Sequence, residues 1–246
     1  MNRIILLPED KLENDFYQLT NVDRLDHILN HLKANVGDQF KVCILNQGIG
    51  QGRVEEIKKD AISFSVSKLE KPKALPFHLI CALSRPPTMK KVLEHGTSLG
   101  VKKFSFFNAE LSQKSYADSK VLQRTQLNDL LMNGLSQEAS TCELPSVNIY
   151  DRLDLVPMDK EEVDSKSQQR YLLSLDSHAS PLSNNLDFDK EIVFAIGPER
   201  GWTAAEEDFL KGKNFRLTKI SLNTLRVEIA LFAFLGQLHH NHITTK

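Results

Sequence analysis

The chain has 246 residues, 41% hydrophobic and 26% charged, with 31 Lys and Arg against 32 Asp and Glu and a formal net charge of -1. This balance is that of a folded globular protein large enough for two domains, and it excludes a disordered or fibrous chain and a wholesale polyanion binder. Cys43, Cys81 and Cys142 are far apart and form no Cys-x-x-Cys pair, which disfavours a disulfide framework and a zinc site and fits reduced thiols. The apolar run Ile4 to Leu7 is too short for a secretory h-region, and no stretch approaches membrane-spanning length, so a cytoplasmic protein is expected.

Up to about Glu70 the sequence is β-rich. Strands are predicted at Ile4 to Leu7, Gln39 to Leu45, Gly52 to Ile57 and Ala61 to Val66, with one helix over Arg24 to Lys33, together a small barrel. Gly48-Ile-Gly-Gln-Gly52 resembles a dinucleotide fingerprint only superficially, because no helix follows it, and it reads as a hairpin turn. His27 and His31 have the spacing of a metal pair on a helix but lack an evident third ligand, so no metal is expected.

Lys71-Pro-Lys-Ala-Leu-Pro76 punctuates the chain, and strands then alternate with helices, the signature of an α/β domain with a parallel sheet. Strands are predicted at Phe77 to Ser84, Lys103 to Asn108, Tyr171 to Leu175, Glu191 to Ile196 and Arg216 to Ile220. Helices are predicted at Thr88 to Ser98, Ser119 to Gln137, Ala204 to Lys211 and Val227 to Leu238. Residues 85 to 124 carry 8 Lys and Arg against 3 Asp and Glu, a local patch able to meet phosphates. Asp151 to Lys166 has six acids against three bases and reads as a solvated loop.

The most informative segment is Phe194-Ala-Ile-Gly-Pro-Glu-Arg-Gly-Trp202, a buried-strand pattern running into a Gly-Pro turn, closed by a helix start in which Thr203 and Glu206 make a capping box. Gly197 and Gly201 would admit backbone shapes that other residues resist. Ile220-Ser-Leu-Asn-Thr-Leu-Arg-Val-Glu228 repeats the plan of strand end, polar turn and helix. Two such ends side by side make a crevice at the edge of an α/β sheet.

Ile196-Gly-Pro-Glu199 with Arg200-Gly-Trp202 is similar to Ile-Gly-Pro-Glu-Gly-Gly-Phe, and Ser221-Leu-Asn-Thr-Leu-Arg-Val-Glu-Ile-Ala230 to Ser-Leu-Gly-x-x-Ile-Leu-Arg-x-Glu-Thr-Ala. Both are motifs of the RsmE family, small-subunit ribosomal RNA uridine N3 methyltransferases of the SPOUT superfamily. His27 to Asp38 and Thr97 to Val101 add softer matches. The resemblance implies a PUA-like β-barrel over residues 1–70 and a SPOUT-type α/β domain with a C-terminal trefoil knot over 71–246. It also implies a homodimer, S-adenosylmethionine as cofactor, and 16S (small-subunit) ribosomal RNA as substrate. Cofactor contacts would come from Leu173, Ser174, Leu175, Ile196, Gly197, Pro198, Gly201, Trp202, Ile220, Ser221, Leu222 and Leu225, and RNA contacts from Arg3, Lys33, Arg85, Lys90 and Lys114. The chain departs from the family pattern at Leu111 and Thr141, where guanidinium groups are expected, and at Ser98, where a Glu is.

Methylating uracil N3 needs loss of the ring proton, in-line positioning and stabilisation of the developing oxyanions. Arg226 is the candidate for the charge role, the alternative being a plain ion pair with Glu228 or a neighbouring carboxylate. Glu199 and Glu228 either brace the loops or aid proton removal. Trp202 reads as a packing anchor, and Arg200 as solvated. Two other readings remain open: a diverged SPOUT protein that binds cofactor or RNA without catalysis, and an enzyme with a different RNA target.

Overall fold

The computed structural model describes residues 3–137, 141–158 and 168–244. They divide into two compact units: one holds residues up to 74 together with the excursion 135–144, and the other holds 75–134 and the chain from 145 onward. The boundary expected near residue 70 is therefore crossed twice more, because the end of one helix and the segment after it belong with the first unit.

In the first unit, β1 (Ile4–Leu6), β2 (Phe16–Leu19), β3 (Gln39–Ile44), β4 (Gly48–Ile57) and β5 (Ile62–Glu70) form a mixed sheet in the order β1-β3-β4-β5-β2. Only β1 and β3 run parallel. Alternate residues Ile62, Phe64 and Val66 of β5 enter a core with Leu6, Leu19, Val42, Ile44 and Val54, as the two-residue period of a half-buried strand requires. Gly48 to Gly52 is no turn but the start of β4. A Cβ at Gly48 would lie 2.8 Å from the Glu70 oxygen, one at Gly50 2.6 Å from the Ser67 oxygen, and one at Gly52 2.4 Å from Val42 Cγ1. These glycines let neighbouring chains approach. The predicted helix over Arg24 to Lys33 is instead α1 (Val22–Asp26), continued by a π-helical stretch over His27–His31.

Arg3, expected to face RNA, is buried. Its guanidinium donates to the carbonyl oxygens of Leu135 (2.9 Å) and Thr141 (3.1 Å), and its backbone N–H donates to Ser136. Two of these carbonyls, those of Leu135 and Ser136, lie in the last turn of the helix Arg124–Gln137, where a helix leaves its carbonyls without internal partners, so the residue has a structural role.

In the second unit, seven parallel strands follow the order β10-β12-β9-β11-β6-β7-β8. They are β6 (Phe77–Ala82), β7 (Val101–Phe107), β8 (Ser146–Tyr150), β9 (Gln168–Leu173), β10 (Ser180–Pro181), β11 (Glu191–Ile196) and β12 (Arg216–Lys219). The accompanying helices are α2 (Pro86–Ser98), α3 (Arg124–Gln137), α4 (Ala204–Gly212) and α5 (Val227–Thr244). All of β6 and nearly all of β11 are buried, which is why they read as unbroken apolar runs. Helix α3 starts at Arg124 rather than Ser119, after a short 3-10 turn at Lys120–Leu122. The strand β8 escaped the sequence reading because it lies at a sheet edge and carries mostly exposed residues.

The stretch from Asp151 is not wholly solvated. Leu153, Val156 and Met158 enter the core beside Leu172, Leu210 and Phe215, and the remainder of that predicted loop, 159–166, lies outside the described residues. Ser98 Oγ donates to the carbonyls of Glu94 and Gly134, bridging α2 and α3. A Cβ at Gly134 would sit 2.2 Å from the Glu94 oxygen, so glycine sets how closely these helices meet.

The chain runs from β6 outward through β7 and β8, then returns to lay β9 on the other side, with β11 inserted between β9 and β6. Ends of β9, β11 and β12 therefore lie next to each other at one edge, the place where open α/β sheets bind ligands.

Candidate active site

Residues following β9, β11 and β12, with the first turn of α5, enclose a cleft of about 290 Å³. Of the twelve residues expected to hold a cofactor, Leu173, Ser174, Leu175, Ile196, Gly197, Pro198, Gly201, Trp202, Ile220, Ser221 and Leu225 line it. Leu222 does not: it is 89% exposed, and its neighbours Asn223 and Thr224 form the wall instead. Sequence reasoning missed Glu207, Val227 and Ala230. The last two lie three apart on α5, so the helical period that faces them to one side was available as a signal.

Trp202 organises the cleft. Its indole N–H donates to the Leu173 carbonyl at 3.1 Å, tying the β11 loop to the end of β9, and its ring stacks on Phe107 with centroids 6.0 Å apart. The packing reading of this residue agrees with that geometry. Gly197 is needed for this indole: a Cβ there would lie 2.9 Å from Trp202 Cε2, and its φ is not in the left-handed region. Gly201, at φ +82°, is the position where the turn requires a left-handed backbone. The Thr203–Glu206 capping box forms, with Thr203 Oγ1 accepting from the Glu206 N–H at 3.2 Å and Glu206 Oε2 accepting from the Thr203 N–H at 2.9 Å. Ser174 Oγ donates to Glu207 Oε1 at 3.1 Å, which fixes the opposite rim.

The charged candidates separate into distinct states. Arg226 is exposed, makes no side-chain ion pair among the described residues, and offers its carbonyl to the Ala230 N–H at 2.8 Å as α5 begins. Its suggested pairing with Glu228 does not occur. Glu228 is buried, with Lys91 Nζ 3.5 Å from Oε1, while Oε2 has no hydrogen-bond partner among the described residues. Arg85 Nε donates to Glu199 Oε1 at 2.8 Å, and that bond holds the guanidinium pKa above its ordinary value. Thus a residue expected at RNA and one expected in catalysis hold each other.

Lys33, Lys90 and Lys114 are exposed, Lys33 on the first unit and the other two on the second. Leu111 is 39% exposed after β7. Thr141 Oγ1 accepts from the Glu143 N–H at 3.1 Å. Among the described residues no group of three or more His, Cys, Asp or Glu side chains could hold a metal ion, and His27 and His31 stand as a ring pair 5.6 Å apart.

An open parallel sheet with a largely apolar cleft at the carboxyl ends of its strands defines a ligand-binding α/β domain. A family model described as an RNA methyltransferase domain matches residues 71–239, and the chain belongs to that family. It is 29% identical over 216 residues to ribosomal RNA small subunit methyltransferase E 1 of Borreliella burgdorferi, covering 87% of this chain and 88% of that one. The corresponding methyltransferase E of Treponema pallidum is 26% identical over 234 residues, covering 94% and 88%. Among solved structures, a ribosomal RNA small subunit methyltransferase E from Neisseria gonorrhoeae bound to S-adenosyl methionine superposes with a TM-score of 0.75 at 18% identity, over 98% of this chain and 97% of that one.

Proposed function

We propose that the protein is an S-adenosylmethionine-dependent methyltransferase that modifies N3 of a uridine in 16S ribosomal RNA. The observation that carries the reading is that two motifs about twenty residues apart in sequence, Ile196 to Trp202 and Ile220 to Val227, line a single cleft. Family membership and the names of the relatives support the same substrate class.

The cleft suits the cofactor chemically. Leu173, Ile196, Leu225, Val227 and Ala230 offer apolar surface for an adenine ring, while Ser174, Glu207 and the loop peptide groups offer polar contacts for the ribose and amino-acid ends. When bound, S-adenosylmethionine supplies an electrophilic methyl group on a sulfonium. Arg226, an exposed cation beside the cleft with no side-chain ion pair among the described residues, then faces the charge that develops on the uracil oxygens. Glu199 braces its loop through Arg85. Lys33, Lys90 and Lys114 meet phosphates, which position the RNA without reading its sequence.

We read the first unit as the PUA-like barrel and the second as a knotted SPOUT domain working as a homodimer in the cytoplasm. The insertion of β11 between β6 and β9, with β12 beyond, supports the knot, since the chain must return past strands already laid.

The test uses purified protein, methyl-labelled S-adenosylmethionine, and either small ribosomal subunits or free 16S RNA, followed by nucleoside mass spectrometry. We expect 3-methyluridine at one position. Cofactor binding with no methylated uridine in either substrate would sink the activity and leave a diverged binding protein.

A further inference from the structure

We propose that Glu207 recognises the ribose of the cofactor, its carboxylate accepting from the 2′- and 3′-hydroxyls together, so that the protein selects ribonucleoside ligands over deoxyribonucleoside ones. The inference rests on the cofactor reading above and goes beyond it by assigning one side chain to one part of the ligand. Among the described residues, three charged side chains line the cleft: Glu199, Arg200 and Glu207. Glu199 is engaged by the Arg85 guanidinium, and Arg200 is exposed. Glu207 differs from both, with a side chain only 19% exposed and held from two sides.

That support leaves the carboxylate half used. Oε1 accepts from Ser174 Oγ at 3.1 Å and Oε2 from Lys211 Nζ at 3.2 Å, and these are its side-chain partners among the described residues. Ser174 Oγ itself accepts from the Asp176 N–H at 3.1 Å, which fixes the hydroxyl that donates to Glu207. An ionised carboxylate has about four acceptor sites, so one donor on each oxygen leaves each oxygen able to take another. The two donors come from different elements, the chain just after β9 and the next turn of α4. Swinging the side chain away would break one of these bonds.

Open sites on two oxygens of one carboxylate match two hydroxyls on adjacent carbons, and hydroxyl bonds to an ionised acceptor are among the stronger ones. An acidic side chain at the crevice of an open α/β sheet is a known solution for holding a ribose hydroxyl. The other donors of the ligand fit less well. The ammonium group of the amino-acid end shares its carbon with a carboxylate that Glu207 repels. The adenine amino group directs its two N–H bonds apart, so one of them misses the carboxylate. The ring itself has the apolar wall of Leu173, Ile196, Leu225 and Val227.

Calorimetric titration of S-adenosylhomocysteine, the ligand left once the methyl group has gone, reads affinity without turnover. Glu207→Gln keeps the side-chain size and an oxygen for Ser174 while removing the charge, and it should weaken binding about tenfold, the scale of one charge-assisted hydrogen bond. The 2′-deoxy and 3′-deoxy forms of the ligand should each lose about as much on the unmodified protein and little more on the variant. 5′-Methylthioadenosine, which lacks the amino-acid end, and S-inosylhomocysteine, which lacks the adenine amino group, should keep the same sensitivity to the substitution. Unchanged affinity in Glu207→Gln, a deoxy penalty that adds in full, or loss of the sensitivity with either of these two ligands overturns the proposal.

Lys211 lies outside the cleft lining, and Lys211→Met should change affinity by no more than about twofold, as expected of an exposed ion pair. An equal loss in Lys211→Met and Glu207→Gln would assign the effect to that ion pair and overturn the ribose role. Should Glu207→Gln unfold, the deoxy series on the unmodified protein decides alone. Failure of the unmodified protein to bind S-adenosylhomocysteine at all sinks the cofactor reading and this one with it, whereas tight binding indifferent to Glu207 and to both hydroxyls sinks this one alone.

Discussion

The indole N–H of Trp202 donates to the carbonyl oxygen of Leu173, 29 residues earlier in the chain, at 3.1 Å, joining the loop after β11 to the end of its sheet neighbour β9. Trp202→Phe keeps most of the ring stacking on Phe107 and removes this bond. Stability should fall by about 1 kcal/mol, the net value of one hydrogen bond, and cofactor affinity should weaken with it. Thermal unfolding and calorimetric titration of S-adenosylmethionine check both.

The two loop glycines should respond differently. At Gly197 a side chain meets the Trp202 indole, so Gly197→Val should displace the ring and abolish cofactor binding. At Gly201 nothing lies within 4 Å of a Cβ, and only φ +82° opposes substitution. Gly201→Ala should cost about 1 kcal/mol of stability and leave measurable affinity. Equal loss of binding in the two variants would contradict the steric explanation.

The Arg226 side chain is exposed and engages no partner among the described residues. Arg226→Ala should therefore leave the unfolding free energy within about 0.5 kcal/mol and cofactor affinity nearly intact, while the transfer rate falls on the order of a hundredfold, the usual cost of an oxyanion-stabilising group. Unchanged turnover would remove it from the mechanism.

Arg3→Leu leaves the Leu135 and Thr141 carbonyls without their donor. We expect a loss of about 2 kcal/mol, since charged hydrogen bonds and buried unsatisfied groups are each costly. Arg3→Lys should recover only part of it, because an ammonium lacks the planar fork. A drop in RNA affinity without a drop in stability would restore the RNA role.

Burial pushes the thiols of Cys43 and Cys81 up to about 12. Both pKa values are raised above that of an unfolded thiol, so their contribution to stability is fully present below about pH 8.5 and is lost as pH rises toward 12. Urea unfolding midpoints should decline above pH 9, and Cys81→Ala should flatten that decline even though its cavity lowers stability at pH 7. Rapid alkylation of the native protein at pH 8 would be inconsistent with this burial.

How much was legible in the sequence depended on how local the cause was. β6 and β11 could be read because strands buried on both faces are apolar throughout, and the Thr203 cap because its partners lie three residues apart. β8 is a mostly exposed edge strand with little apolar pattern, and the buried Leu153, Val156 and Met158 were masked by the acids around them. The glycines of β4 looked like a turn because glycine serves close chain approach as readily as chain reversal.

For the site, the residue types and their order were in the sequence, and eleven of the twelve expected cofactor positions line the cleft. Their partners were not. Arg3 resembled a surface cation until residues more than 130 positions away supplied its carbonyls, and Arg85 and Glu199, 114 positions apart, form one ion pair. Local order along the chain determines strand, turn and cap, because those interactions span a few residues. Which charges are spent on each other and which stay available to a ligand was decided by the tertiary structure, since such pairing depends on distances that only the folded sheet sets.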